Sequence, residues 1–403
     1  MRTFATKNAR WIAFAYALAA ASQAAAALLP ISDEFDISAA ISNWNRIDVT
    51  EGWNADQLQI WDINASQPGR MVMKPYAVTW YQDYRGPLVY KTLGGNFSFT
   101  TQVEVRNGAN QSVTPTADYS LAGVMVRGSR NITDPATQWT PGGEDYVFLS
   151  LGFGNSGVSN GPQFEVKTTD NSDSNLQLTP AQGLTATLQL ARLTNSVGTF
   201  VIAALKEPNS DWIIHRRYRR DDLAGTLQAG LVTYSDYSTA STVTPFVHNG
   251  NVLTDGSPLL NGRVPHPDLT AGFDYARYFD LSSLPAGLAN ADLLNTGAVP
   301  DSVLLQLLAP GPVPPTGDYN QDFVVDAADY LIWRRALASG DLNADGDRNS
   351  VINSADYDIW RSHFGETASG AALLSAIVPE PSHARFMVCV AVAAALALRR
   401  PVC

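Results

Sequence analysis

Two copies of one 12-residue, oxygen-rich loop, offset by 27 residues, constrain this chain more than any other feature. The first reads Asp318-Tyr-Asn320-Gln-Asp322-Phe323-Val324-Val-Asp326-Ala-Ala-Asp329, and the second Asp345-Gly-Asp347-Arg-Asn349-Ser350-Val351-Ile-Asn353-Ser-Ala-Asp356. Each runs directly into Tyr-x-Ile-Trp-Arg. Side-chain oxygens fall at loop positions 1, 3, 5, 9 and 12, with the backbone carbonyls of Val324 and Val351 at position 7. A hard cation such as calcium needs this spacing, because a tight loop must wrap six to eight oxygens round one ion. Asp and Asn also mark ordinary turns. A solvated acidic linker, however, has no reason to repeat an aromatic helix at the same offset. Two calcium ions are therefore expected, one per loop. The glycine usual at position 6 is replaced by Phe323 and Ser350, and a left-handed turn there costs about 1 kcal/mol more than with glycine.

After the loops, Ile332, Trp333, Ala336 and Leu337, then Ile359, Trp360, His363 and Phe364, gather on one helical face. Neither face can be buried alone, so the two helices are expected to pack together, with His363 packing rather than ligating. Over 318–364 the duplicated loop-plus-helix resembles a dockerin type I domain. That resemblance implies a cohesin-like protein partner, recognised through loop positions 10 and 11, which are often Ser and Thr. Here they are Ala327-Ala328 and Ser354-Ala355.

The formal net charge is −11, and residues 318–364 hold nine Asp against four Arg, so nearly half the acidic excess belongs to the loops. No nucleic-acid partner is implied. The run His215-Arg-Arg-Tyr-Arg-Arg220 is followed at once by Asp221-Asp222 and reads as a solvated strand end. The only cysteines, Cys389 and Cys403, lie in the last 15 residues, so disulfides and cysteine-bound zinc are excluded from the folded part. At the N-terminus, 1–27 joins Arg2, Lys7 and Arg10 to an apolar run and small residues, the form of a secretory signal. At the other end, 378–401 has Pro379-Glu380-Pro381, an apolar run from Phe386 to Leu398, then Arg399-Arg400. It resembles the PEP-CTERM sorting signal, which implies an exosortase-type processing protease and at least transient membrane contact. Export to the cell envelope, the cell surface or the exterior is expected.

Between these ends, 31–281 shows period-2 alternation. Phe97, Phe99, Thr101, Val103 and Val105 alternate with Ser98, Thr100, Gln102 and Glu104; Leu184–Leu193 alternates likewise. Further strands are expected over Leu121–Arg127, Tyr146–Leu151, Phe164–Lys167, Gly198–Lys206, Trp212–Arg216, Leu227–Tyr234 and Phe273–Phe279. The fold class is mainly β: an antiparallel jelly-roll sandwich followed by a small α-helical calcium module. Order and pattern resemble the concanavalin A-like lectin/glucanase jelly rolls. The likeness rests on stretches such as Gly94-Gly-Asn-Phe-Ser-Phe-Thr-Thr-Gln-Val-Glu-Val105, Ala122-Gly-Val-Met-Val-Arg127 and Asp145-Tyr-Val-Phe-Leu-Ser150, and it implies glycan recognition.

A retaining glycosidase needs two carboxylates about 5 Å apart, supplied on a strand as Glu-x-Asp-x-x-Glu. That run is absent, and the neighbours Glu144 and Asp145 read as turn residues. Gly152-Phe-Gly154-Asn-Ser-Gly157 fits a phosphate-binding pattern, but Val158-Ser-Asn-Gly-Pro162 cannot open a helix, so it reads as a loop. Trp61, Trp80, Tyr81 and Tyr84 are the candidates for stacking on sugar rings. Neighbouring Trp80 and Tyr81 cannot both face inward on a strand. The prolines of 282–317 suggest a stiff linker, and 365–377 a flexible spacer. A non-catalytic polysaccharide-binding or adhesion protein is expected. The alternatives are a glycosidase with carboxylates dispersed in sequence and a structural envelope protein.

Overall fold

The computed structural model describes residues 26–309, 314–320, 323–347, 349 and 351–367. Residues 1–25 of the N-terminal signal, and Pro379, Glu380, Pro381, Arg399 and Arg400, lie outside them. Among the described residues the strands are β1 (Ala27–Leu28), β2 (Asn45–Arg46), β3 (Leu58–Ile63), β4 (Met71–Pro75), β5 (Leu88–Leu93), β6 (Phe97–Asn107), β7 (Ser120–Gly128), β8 (Tyr146–Phe153), β9 (Gln163–Asp170), β10 (Asp173–Pro180), β11 (Thr185–Thr194), β12 (Thr199–Lys206), β13 (Ile213–Arg219), β14 (Leu227–Tyr234), β15 (Leu269–Phe273) and β16 (Arg277–Asp280). Two antiparallel sheets result. One has the order β13-β12-β11-β6-β15-β4-β3, with β16 on β6 and β1 on β16; the other has the order β10-β9-β8-β7-β14-β5-β2. This is the jelly-roll sandwich read from the alternation.

Alternation decides which side chains meet. On β6, Phe97, Phe99, Val103 and Val105 point between the sheets, where they meet Val124 and Val126 of β7 and Val147 and Leu149 of β8. Each such side chain contributes about 1.5–3 kcal/mol on burial. The opposite face of β6 is not left to water, as Ser98 and Thr100 are also buried. A third layer covers that sheet. Ala191, Leu193, Phe200 and Ile202 lie against Leu288, Leu293, Val299 and the helix Asp301–Leu308. Gln189 Nε2 donates to the Leu308 carbonyl at 3.0 Å, and Arg217 Nη1 donates to the carbonyls of Leu293 and Val299, both at 2.8 Å. The stretch expected as a stiff linker is therefore folded as far as Leu308. Its leucines cover β12, whose Phe-Val-Ile-Ala-Ala-Leu run is apolar on both faces and needs cover on both. Arg217 and Arg220 likewise do not form a solvated strand end. Arg220 is buried and donates to the Tyr146 carbonyl at 2.9 Å.

The outward face of the other sheet carries its own cluster, with Leu88, Leu121, Met125, Tyr146, Phe148, Val232 and Tyr234 under Val78 and Trp80. The segment before β5 is laid over this face and tied down by the Val78–Ser235 bridge. It is this segment that builds the pocket described below.

In the duplicated region, helices Ala327–Ser339 and Ser354–Ser362 each begin with a capping box, Asp326 with Asp329 and Asn353 with Asp356. Tyr319, Ala336 and Ala344 are buried, with Ile332, Trp333, Ile352 and Trp360 packed on them. The two copies clasp each other reciprocally. Trp333 Nε1 donates to the Asn353 carbonyl at 3.0 Å and Trp360 Nε1 to the Asp326 carbonyl at 2.8 Å. Leu337 and Phe364, expected on the shared face, are 50% and 56% exposed, since Leu337 is one step off the contact stripe and Phe364 lies beyond the helix end. His363 Nδ1 lies 3.0 Å from a Glu366 carboxylate oxygen.

Candidate functional site

β8 and β9 pair so that Phe148 faces Lys167 and Ser150 faces Glu165. Glu165 and Lys167 are two residues apart, so both project from the outward face. Both are buried there. Lys167 Nζ lies 2.8 Å from Glu165 Oε1 and donates to the Trp80 carbonyl at 2.7 Å. Tyr234 donates its hydroxyl to Glu165 Oε2 at 3.0 Å, and Ser150 Oγ is 2.7 Å from the same hydroxyl. Burial lowers the Lys167 ammonium from its ordinary value, and Glu165 opposes that shift. Lys167 brings this ion pair to a cavity of about 130 Å³ lined by Thr79, Tyr81, Tyr119, Lys167, Leu176 and Tyr237.

Three separate segments bring the tyrosines. Tyr81 comes from the overlaid segment, Tyr119 from the approach to β7, and Tyr237 from the turn after β14. The Tyr119 and Tyr237 rings meet edge to face at 5.3 Å, and Tyr81 and Tyr237 at 6.0 Å. Backbone strain is concentrated here: Gln82, Tyr119 and Asp236 have φ of 51°, 54° and 62°. Each left-handed non-glycine residue costs about 1–2 kcal/mol, and each is held by partners. Gln82 N donates to Ser174 Oγ at 2.8 Å, Tyr119 N to the Gly154 carbonyl at 2.9 Å, and the Asp236 carboxylate accepts from His266 N at 2.8 Å. Burial, and next the nearby Glu165 charge, raise the Tyr119 phenol above its ordinary value, so it is a neutral hydroxyl rather than a base. None of the residues lining the cavity is a carboxylate.

Of the four aromatic candidates read from the sequence, Tyr81 alone lines this cavity. Trp80 is fully buried, edge-on to Tyr146 at 5.4 Å, with Nε1 donating to the Pro87 carbonyl at 3.2 Å. Tyr84 donates to the carbonyls of Val243 and Ser241 at 2.9 and 3.2 Å and sets its ring against His248. Trp61 lies half-buried under the Arg46 guanidinium, 5.0 Å from its ring. Trp80 and Tyr84 thus hold the segment that presents Tyr81. Reasoning from local aromatic density missed Tyr119, Lys167 and Tyr237; the one available signal was the Glu165-x-Lys167 pair alternating with the apolar Phe164 and Val166.

A wider groove of about 680 Å³ is bounded by the neighbours Asp118, Asp236 and Ser238, with Asp268 and His266. Its Asp268 carboxylate is already taken up by Thr116 N, Ala117 N, Asn107 Nδ2 and Ser120 Oγ. Glu144 is not a turn residue in water. It is buried against Arg127, with Nε–Oε2 at 2.8 Å, while Arg127 Nη2 also reaches Glu51 at 2.7 Å. Burial alone would raise the Glu144 carboxyl, but Arg127 and Arg130 outweigh it and hold the carboxyl below its ordinary value. This network braces strands.

In the second loop the carboxylates of Asp345, Asp347 and Asp356 come within 4.8 Å of one another, a group able to hold a metal ion. Asp356 is fixed by accepting from Asp347 N at 3.2 Å and Asn353 N at 2.8 Å. Asn349 and Asn353 turn their side-chain oxygens to Val351 N and Ala355 N, both at 2.7 Å. Burial, and then the charges of Asp356 and Asp345, raise the Asp347 carboxyl above its ordinary value. In the first loop Asp329 accepts from Asn320 N at 2.9 Å and Asp326 N at 2.8 Å, while Asp318 accepts from Phe323 N at 2.7 Å. Phe323 takes the left-handed φ of 72°. Asp322 and Ser350 lie outside the described residues. All-oxygen donors on tight loops fit a hard cation. The two copies differ at position 2, where Gly346 leaves room for the Tyr319 hydroxyl; a Cβ there would stand 2.4 Å from it.

No family model matches the chain, and no curated protein does. Solved structures similar to it include a xylan β-1,4-xylosidase from Bacillus halodurans C-125 (15% identity, 62% of this chain and 39% of that one, TM-score 0.40). A lectin from Bauhinia forficata (9%, 63% and 98%, 0.35) and a legume lectin-like domain from Entamoeba histolytica (9%, 64% and 100%, 0.35) are also similar. The chain thus spans well under half the length of the xylosidase.

Proposed function

We propose that the chain is an exported, envelope-directed glycan-binding or adhesion protein whose sandwich takes sugar in the tyrosine-lined cavity and whose duplicated loops bind two calcium ions. The convergence of Tyr81, Tyr119 and Tyr237 over the buried Lys167–Glu165 pair carries the reading. Aromatic faces meet the apolar C–H face of a pyranose, and a few polar groups fix its orientation. Glycoside hydrolysis needs two carboxylates at the sugar. Here no carboxylate lines the cavity among the described residues, and Glu165 beside it is engaged by Lys167 and Tyr234. Asp318, Asn320, Asp322, Asp326 and Asp329, and Asp345, Asp347, Asn349, Asn353 and Asp356, would hold the two ions, with the carbonyls of Val324 and Val351. The resulting dockerin-like module would engage a cohesin-like protein. The secretory pattern of 1–27 and the PEP-CTERM-like order of 378–401 support export, transient membrane contact and exosortase-type processing. Mass spectrometry of the protein from its native cells tests the processing, which an intact peptide ending at Cys403 in the mature pool would refute. A glycan array probed with the full chain and with Tyr81→Ala/Tyr237→Ala tests the glycan reading. Binding is expected for the first and loss for the second; equal signals would sink it.

A further inference from the structure

We infer that the cavity receives a single neutral sugar ring at the end of a glycan, and that the Lys167 ammonium reads one of its hydroxyls. This rests on the glycan reading above. An ammonium has three N–H donors. Among the described residues two oxygen acceptors stand within hydrogen-bond distance of Lys167 Nζ, the Trp80 carbonyl at 2.7 Å and Glu165 Oε1 at 2.8 Å. Around the rest of Nζ stand the ring faces of Phe148 at 4.8 Å and Tyr81 at 5.3 Å, and no third hydrogen-bond acceptor is found for it among the described residues. For a buried ammonium a ring face is a weaker partner than an oxygen. Lys167 is 2% exposed and nonetheless lines the cavity, so the group that completes its shell enters through that cavity.

Charge and size narrow the class. Lys167 and Glu165 cancel, and Tyr234 donates to the other carboxylate oxygen, so the ion pair presents no net charge. A neutral hydroxyl completes such a site, whereas a carboxylate or an ammonium would add a buried charge without a counter-charge. Pockets for drug-sized ligands run to roughly 300–1,000 Å³. A cavity of about 130 Å³ holds one ring, and the rest of the glycan leaves by the mouth. The site should therefore distinguish a hydroxyl from a hydrogen at one ring position, where the unpaired donor penalises the analogue lacking it.

The test titrates the full chain, by calorimetry and by NMR of its tyrosine rings, with methyl hexopyranosides of glucose, galactose and mannose. Disaccharides bearing each ring at the free end, the monodeoxy analogues and methyl glucuronide complete the set. One hexopyranoside should bind within about threefold of its disaccharide, and one of its deoxy analogues should lose about ten- to a hundredfold. Lys167→Met combined with Glu165→Gln, which strands no charge, should bring that deoxy analogue level with its parent. Should this variant fail to fold, the deoxy series decides alone. Binding only of disaccharides or longer, equal binding of all deoxy analogues, or preference for the glucuronide would overturn the inference while leaving the glycan reading standing. Absence of any glycan binding would overturn both.

Discussion

The sandwich and the duplicated loops solve opposite problems. The sandwich buries three apolar layers, and even its charged residues, Arg127, Glu144 and Glu51, are paired out of water. Among its described apolar residues the loop region buries Tyr319, Val325, Ala336 and Ala344, and its helices of 13 and 9 residues are too short to persist alone. The carboxylates of Asp345, Asp347 and Asp356 crowd within 4.8 Å of one another. One region is held by what it excludes; the other, on the proposed calcium reading, would be held by what it binds.

Arg127→Met should break the first side of the contrast most severely. It leaves Glu144 with Arg130 and Glu51 with Arg85 at 3.9 Å as their remaining cations, at a cost of about 3–5 kcal/mol, visible as a lower denaturant midpoint. Adding Glu144→Gln and Glu51→Gln should recover most of it. Acid should act on the same region through His248, which burial pushes down to about 4 from 6.5. A histidine lowered on folding binds its proton more readily when unfolded, so its stabilisation is complete above pH 6.5 and is lost as pH falls towards 4. Up to about 3 kcal/mol is at stake, read from melting curves across that window.

Chelation should do the reverse. With calcium at a hundred times its dissociation constant each site contributes about 2.7 kcal/mol. Removing it should therefore erase the helical signal of 327–362 and shift Trp333 and Trp360 fluorescence, while the sandwich transition stays in place. Calorimetry should count two sites, with Asp318→Ala and Asp345→Ala each deleting one. A chelator without effect on circular dichroism would sink the calcium claim. The smallest change is Tyr237→Ala, which should weaken sugar binding by about 0.5–1.5 kcal/mol and leave both transitions unmoved.

The strand alternation and the loop repeat were legible because each is periodic within a short stretch. Phe97, Phe99, Val103 and Val105 lie between the sheets as the alternation requires. Strands β1 to β5, β10 and most of β15 lack a strong pattern in the sequence, and the stretch expected as one strand over 273–279 is divided between β15 and β16. Proline content misled over 282–308, because it reports a chain that cannot be a regular helix throughout, not one that lacks a partner. The leucines there declare themselves only once β11 and β12 present an apolar outer face.

Sequence by itself thus determined the all-oxygen spacing of the loops, the inward side of the strands, and the rule that Trp80 and Tyr81 take opposite sides. Tertiary structure alone decided which of those two turns inward, and that Tyr81 should meet Tyr119, Tyr237 and Lys167. Those four are distant along the chain and converge through the β8–β9 register and the Val78–Ser235 bridge. Local periodicity fixes the side on which a residue stands, whereas a cavity is made by segments whose proximity is settled only when the sheets close.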